Sequence, residues 1–134
     1  MPHVVILYTA DLEVAADMGR YCRAAADALL ALRDPAQQAV FPIGGVRVFA
    51  YPAAHSAVAD GSGEHAFIYV LVRMARGRSA AVQSATGDAL AAATRSHFAP
   101  LLAQRNLGIT VQVDEGHEVF DARLGNLHPL FNRA

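Results

Sequence analysis

The fold of this chain is decided by the stretch AFIYVLVRM at residues 66–74. Its β-branched and aromatic residues predict a β-strand. The apolar residues do not alternate with polar ones, so both faces of the strand need to be covered. The chain has only enough predicted helix to cover one face of a sheet. An exposed apolar face of this size usually marks an interface, so the stretch predicts an oligomer whose sheets pack against each other.

A helix and a further strand follow this central stretch. Residues 77–79 (GRS) form a predicted turn in which Ser79 is a good N-cap. Small and apolar residues then recur at the spacing of a helix face, at Val82, Ala85, Ala89 and Ala92. We expect this helix to run to about Ala99, where Pro100 should end or kink it. Residues 107–113 predict the last strand.

The same strand-helix-strand order precedes residue 65. Residues 4–8 predict a strand, after which Thr9 or Asp11 can cap a helix. The helix face is predicted at Ala15, Met18, Cys22, Ala25, Leu29 and Leu32. Asp34-Pro35 should end the helix, since proline disfavours helical backbone in the residue before it. Residues 46–51 predict the second strand. The chain is thus a pseudo-repeat of residues 2–52 and 65–114, with a C-terminal tail at 115–134.

Each unit should be a right-handed crossover between parallel strands. We therefore predict a single α/β domain (α+β in some schemes) over residues 1–134. Its two β-α-β units form one four-stranded mixed sheet with two helices on one face, and the chain is oligomeric.

The composition limits the class of protein. The chain has 134 residues, of which 54% are hydrophobic and 17% charged, with a net charge of −1. This composition can build a core and gives no attraction to nucleic acid or an anionic membrane. No signal peptide is recognised after Met1, and the apolar run at 66–72 is too short to span a bilayer. The single cysteine, Cys22, excludes an internal disulfide, and the six histidines show no metal-ligand spacing. We expect a soluble, cytoplasmic protein.

Five stretches carry a resemblance that covers essentially the whole chain. They are PHVVI at 2–6, FPIGGVR at 41–47, GRS at 77–79, HF at 97–98 and NLHPLF at 126–131. In this order and spacing they resemble the 5-carboxymethyl-2-hydroxymuconate isomerases of the tautomerase superfamily. The resemblance implies a tautomerase-like homotrimer with three sheets facing inward and with neither a metal nor an organic cofactor. It also implies ketonisation or allylic isomerisation of a small dienol dicarboxylate in the breakdown of aromatic acids.

The resemblance places catalysis at Pro2, Arg47 and Arg78. Without Met1, Pro2 carries a secondary amine, whose pKa burial and nearby cations would lower toward the working pH of a general base. Arg47, after a glycine pair, is assigned to a substrate carboxylate, because a guanidinium offers paired donors. Arg78, beside the N-terminus of the second helix, is assigned to a second carboxylate and the developing dienolate. His3 is placed in the substrate pocket.

Two residues that depart from the family pattern, and the presence of Met1, leave alternatives open. Leu7 stands where many members of the family carry an acidic residue, and Phe49 where some carry another cation. The chain could therefore be a tautomerase of a different, smaller or more apolar enol; retention of Met1 would instead favour a non-catalytic oligomeric protein of the same fold. While Met1 remains in place, the Pro2 nitrogen is an amide and cannot act as a base.

Overall fold

A computed structural model describes residues 1–132; the last two residues of the predicted tail at 115–134 lie outside the described residues. The strands are β1 (His3–Thr9), β2 (Arg47–Ala53), β3 (Ala66–Met74) and β4 (Leu107–Glu115). The helices are α1 (Met18–Leu30), α2 (Ala80–Gln104) and a short α3 (Leu127–Phe131) that the sequence analysis did not predict. Two 3₁₀ turns lie at Ala10–Leu12 and Ile43–Gly45.

The four strands form one mixed sheet in the order β2-β1-β3-β4. β1 is parallel to β2 and antiparallel to β3, and β3 is parallel to β4. α1 packs on β2, α2 packs on β4, and the two helices contact each other. Alternate residues of the central strands, such as Ile6 and Val70, are fully buried beneath these helices. The mixed sheet with two helices on one face is therefore confirmed.

The predicted cap of the first helix is wrong. α1 begins at Met18 and is capped by Asp17, whose side chain accepts a hydrogen bond from the Arg20 amide. Thr9 and Asp11, the two predicted caps, serve tertiary contacts instead. The Thr9 hydroxyl accepts a hydrogen bond from the Phe67 amide, and the Asp11 carboxylate pairs with the guanidinium of Arg105. Both contacts join positions more than fifty residues apart, which local spacing cannot reveal.

The predicted end of the second helix is also wrong. α2 continues past Pro100 to Gln104. A proline removes one backbone hydrogen bond, whereas Leu101 in the next turn packs against the hydrophobic core. The Arg105 amide still donates to the Leu101 carbonyl at 3.0 Å, which closes the helix. The contact of Leu101 with the core and the hydrogen bond that closes the helix offset the local cost of the proline.

Buried polar contacts fix how the two long helices meet. The hydroxyls of Tyr21 on α1 and Thr94 on α2 lie 2.6 Å apart, and both side chains are buried. The His97 ring contacts the Ala16 carbonyl at 2.7 Å and packs against the rings of Tyr21 and Phe98. His97 and Phe98, which belong to the stretches that carry the resemblance, therefore join the helices and do not line the site described below.

The face of the sheet opposite the helices, here called the open face, is uncovered in the single chain. The pairing of β1 with its neighbours places Leu7 beside Tyr51 and Tyr69 on this face. Large apolar side chains remain 36% to 51% exposed here; they are Leu7, Phe49, Tyr51 and Phe67. Within residues 1–132, none of the helices combines the length and apolar character needed to cross a membrane.

Candidate active site

The start of the chain lies at the edge of the sheet where β1 and β2 begin. His3 is paired with Arg47 in the parallel register of β1 and β2. Pro2, just before β1, is buried, and its carbonyl accepts a hydrogen bond from the Arg47 amide at 3.3 Å. Three of the four predicted site residues, Pro2, His3 and Arg47, are therefore brought together by strand pairing. Met1 is present, so the free amine in this structure belongs to Met1.

The glycine pair before β2 allows two segments to approach closely. A Cβ atom on Gly45 would lie 2.7 Å from the Met1 nitrogen, and one on Gly44 would lie 3.1 Å from the Cα atom of His128. The carbonyls of the same glycines accept hydrogen bonds from the Arg47 guanidinium, each at 3.3 Å. The glycines thus hold Arg47 in place and leave room for the N-terminus and for α3.

A pocket of about 260 Å³ surrounds the N-terminus. Part of its wall is formed by the start of the chain and of β2, through Met1, His3 and Arg47. The rest comes from the C-terminal tail, through residues 121–125, Leu127 and His128. Asp121 and Arg123 bring opposite charges into this wall, and the sequence analysis missed both. His128 lies in a stretch that carries the resemblance, but no pattern in the tail singles out Asp121 or Arg123.

Electrostatics in the pocket favour a neutral amine. Burial, followed by the positive charges of Arg47, Arg123 and Arg78, lowers the pKa of the Met1 amine, while Asp121 acts in the opposite direction. Burial and then the charge of Arg47 also lower the pKa of His3. An amine at this position therefore loses its proton more readily than an exposed terminal amine does.

Arg78 does not line this pocket. Its Nη1 donates to the Val40 carbonyl at 2.9 Å, and its guanidinium carbon lies 4.6 Å from the centre of the Phe41 ring. Its buried Nε has no hydrogen-bond partner among residues 1–132. Arg78 is thus a half-buried residue that fastens the segment before β2. The predicted cap next to it is present, since the Ser79 hydroxyl accepts from the Val82 amide at 3.2 Å.

The remaining candidates add no reactive group to the pocket. Cys22 lies half-buried against the hydrophobic core, where burial raises the pKa of its thiol. Nowhere in residues 1–132 do three or more His, Cys, Asp or Glu side chains gather as the ligands of a metal ion would.

Comparison with known proteins gives one consistent result. The profile of a family described as 5-carboxymethyl-2-hydroxymuconate isomerase matches residues 2–131. A 5-carboxymethyl-2-hydroxymuconate Delta-isomerase from Escherichia coli is 26% identical over 133 residues, covering 98% of this chain and 99% of its own length.

Solved structures agree with this match. A crystal structure of a 5-carboxymethyl-2-hydroxymuconate delta-isomerase is 51% identical, with a TM-score of 0.95 and coverage of 100% of this chain and 95% of that chain. An isomerase of the same description from Deinococcus radiodurans R1 is 32% identical, with a TM-score of 0.86 and coverage of 98% and 95%. A fused 4-OT described as a symmetric trimer (12% identity, TM-score 0.57, coverage 84% and 85%) shares the fold alone.

Proposed function

The chain belongs to the 5-carboxymethyl-2-hydroxymuconate isomerase family, and from this premise we propose that it converts a small dienol with two or more carboxylates, such as the tricarboxylate 5-carboxymethyl-2-hydroxymuconate, by proton transfer through Pro2. The chain is an isomerase with the tautomerase fold. The substrate class and the role of Pro2 are the proposal. The observation that carries them is the half-buried N-terminus beside Arg47 in a pocket of about 260 Å³.

Removal of Met1 turns the buried amide nitrogen of Pro2 into a secondary amine. This amine would lie beside the pocket whose burial and cations already lower the pKa of an amine one residue earlier. The neutral amine takes the proton of the enol hydroxyl, and the resulting ammonium delivers a proton to a carbon of the diene. The hydroxyl becomes a carbonyl, the double bond moves, and the amine returns to its neutral form. These two proton transfers need no cofactor.

The charged residues hold the substrate and its developing charge. Arg47 lines the pocket and binds one substrate carboxylate through the N–H groups that its glycine carbonyls leave free. His3 lies next to it and, with its lowered pKa, stays neutral near pH 7. Arg78 lies behind the pocket and stabilises the dienolate by its charge, which already acts on the terminal amine.

The proposed function includes a proposed oligomeric state, a trimer. We expect three copies to pack through their open faces, because the large apolar side chains there have no other cover in residues 1–132. The trimeric state of the distant fused 4-OT supports this arrangement. Packing of this kind would exclude water from one side of the site.

The two departures from the family lie on the open face of the sheet. Leu7 and Phe49 are on the open face, and neither lines the pocket around the N-terminus. Their apolar character fits a subunit interface. The alternative of a tautomerase for a more apolar enol, which Leu7 motivates, stays a prediction. A comparison of rates on a diacid and a monoacid dienol tests it directly, since a tautomerase of that kind would show no preference for the diacid.

The deciding experiment compares the two N-terminal forms. Ultraviolet absorbance follows ketonisation of a 2-hydroxymuconate-type dienol by protein whose N-terminus is verified by mass spectrometry. We expect a rate well above buffer from the Met1-free form and none from protein that retains Met1. Pro2→Ala, which replaces the ring amine by a primary amine, should be slower by about a hundredfold or more.

Two outcomes would contradict the proposal. Equal rates with and without Met1 would exclude the Pro2 amine as the base. A Met1-free protein of correct mass that shows no rate above buffer would favour the non-catalytic alternative.

A further inference from the structure

The C-terminal tail is fastened at both ends and spans the pocket between them. At its start, the Gly116 amide donates to the Met74 carbonyl at 2.8 Å, and Arg76 donates to the Glu118 carbonyl at 3.0 Å. At its end, α3 packs against the turn that contains Gly44. Residues 121–125 between these points form the wall of the pocket opposite Arg47. Their place next to the N-terminus is therefore set by contacts outside the pocket.

Among the residues that the structure describes, two guanidinium groups and one carboxylate line this pocket. Among the lining residues the charged side chains are Arg47, Arg123 and Asp121. The Arg123 Nε donates to the Asp121 carboxylate at 3.0 Å, and this pair is 62% and 45% exposed. An exposed pair of this kind contributes little to stability, so another carboxylate can replace Asp121 at small cost. Asp121 thus occupies the position that an anionic group of a ligand would take on Arg123.

A dicarboxylate needs a cation at each end, and Arg78 is poorly placed to be the second one. Arg78 is engaged with the Val40 carbonyl and the Phe41 ring and does not line the pocket. Arg123 lines the pocket, and its recorded partner is the exchangeable carboxylate of Asp121. Among residues 1–132, the arginines that line this pocket are Arg47 and Arg123.

The charges of Asp121 and Arg123 also affect the titration of the N-terminal amine. Three strand and helix residues line the pocket around the N-terminus: His3 on β1, Arg47 on β2 and His128 on α3. Asp121 and Arg123 line it from the tail. Arg78, before α2, does not line the pocket, but its charge also acts on the amine. Of the tail pair, Arg123 disfavours the protonated amine and Asp121 favours it. Removal of either charge should therefore move the titration of the amine, in opposite directions.

We propose that Arg123 binds one carboxylate of the substrate, exchanging Asp121 for it, and so determines the preference of the enzyme for diacids over monoacids. This inference rests on the proposed function. It adds a substrate-binding residue from the tail that completes the pair begun by Arg47. Arg78 keeps an electrostatic role behind the pocket.

The test measures steady-state kinetics of Arg123→Ala and Asp121→Asn, in Met1-free protein, on a diacid dienol and a monoacid dienol. Arg123→Ala should raise KM for the diacid about tenfold or more and change KM for the monoacid less than about twofold. The acid limb of its kcat/KM profile should move to higher pH, because the amine pKa rises without this cation. Asp121→Asn should move the same limb to lower pH.

The chain offers a matched control in Arg23 and Asp27. This pair on α1 has a similar distance of 2.9 Å and similar exposure of 63% and 64%. Arg23→Ala and Asp27→Asn should leave KM, kcat and both pH limbs unchanged. A general effect of losing one surface charge would appear in these variants too.

An unchanged ratio of diacid to monoacid KM in Arg123→Ala would overturn the inference while the proposed function stands. If the wild-type protein turns over neither dienol, the proposed function fails. Calorimetric binding of adipate, a dicarboxylate that cannot react, then tests Arg123 separately. A dissociation constant raised about tenfold by Arg123→Ala supports its role as a carboxylate ligand, and an equal constant in both proteins excludes it.

Discussion

Single residues decide how closely the N-terminus approaches the rest of the site. Gly45 lies where any side chain would meet the Met1 nitrogen, and Gly44 lies where one would meet α3. A glycine in such a place allows close approach of two backbones and has no side chain of its own to pack. The chemistry of the site thus depends on two residues that carry no reactive group.

We predict that Gly45→Ala lowers kcat/KM by about tenfold or more. Its methyl group would lie 3.0 Å from Cγ of Pro42 and 2.7 Å from the Met1 nitrogen, so it would crowd the start of the chain one residue before Pro2. Gly19→Ala on α1 is the matched control, because its Cβ would meet no atom within 4 Å. We expect it to leave activity unchanged and to raise the free energy of unfolding by up to about 1 kcal/mol. Full activity of Gly45→Ala would show that the gap is not needed.

At the scale of elements, a buried pair of hydroxyl groups joins α1 to α2. The Thr94 hydroxyl donates to the Leu90 carbonyl at 2.6 Å, which uses its only hydrogen. Tyr21 must therefore be the donor in the 2.6 Å contact between the two hydroxyls. Burial raises the pKa of Tyr21, which keeps its hydroxyl protonated and able to donate.

This direction of donation predicts unequal costs for the two partners. Tyr21→Phe should lower the free energy of unfolding by about 1 kcal/mol, because Thr94 keeps its bond to Leu90. Thr94→Val should cost about 1–3 kcal/mol, because it leaves a buried Tyr21 hydroxyl without a partner. Denaturant unfolding at one fixed protein concentration measures both. The double variant should cost less than the sum, and a larger loss in Tyr21→Phe would reverse the assigned donor.

The whole molecule is defined by a sheet that is covered on one face only. Its buried residues lie beneath α1 and α2, while the open face carries Leu7, Phe49, Tyr51 and Phe67 in partial contact with solvent. A patch of this kind is costly for an isolated chain and favourable at an interface. The proposed trimer would bury it.

We predict that Tyr51→Asp dissociates the assembly without unfolding the chain. Tyr51 is 51% exposed in the single chain, so a carboxylate there is tolerated by the fold and is costly only inside an interface. Light scattering should report the mass of one chain, with an unchanged circular dichroism spectrum. Val14→Asp is the control, since Val14 is 97% exposed in the connection before α1 and should leave the mass as in wild type. An unaltered mass for Tyr51→Asp would exclude the open face as the interface.

The sequence by itself determined the four strands, the two long helices and the class of fold, but not α3. The limits of β3 at Ala66–Met74 were predicted without error, since its composition is an intrinsic strand signal. The Ser79 cap and the mixed sheet followed from local chemistry and the repeated strand-helix-strand order. Pro2, His3 and Arg47 also come together in the structure, and the first signal for them was the resemblance to a family.

Only the tertiary structure decided the details that depend on distant partners. α2 passes through Pro100 because the core stabilises the turn beyond it, and Thr9 and Asp11 cap no helix because Phe67 and Arg105 bind them. The position of Arg123 in the pocket could not be predicted from the sequence, because the tail has no periodicity. Its path is set by contacts with β3 and Gly44. Local propensity acts over a few residues, whereas a pocket is assembled from segments far apart in the chain, and only packing brings them together.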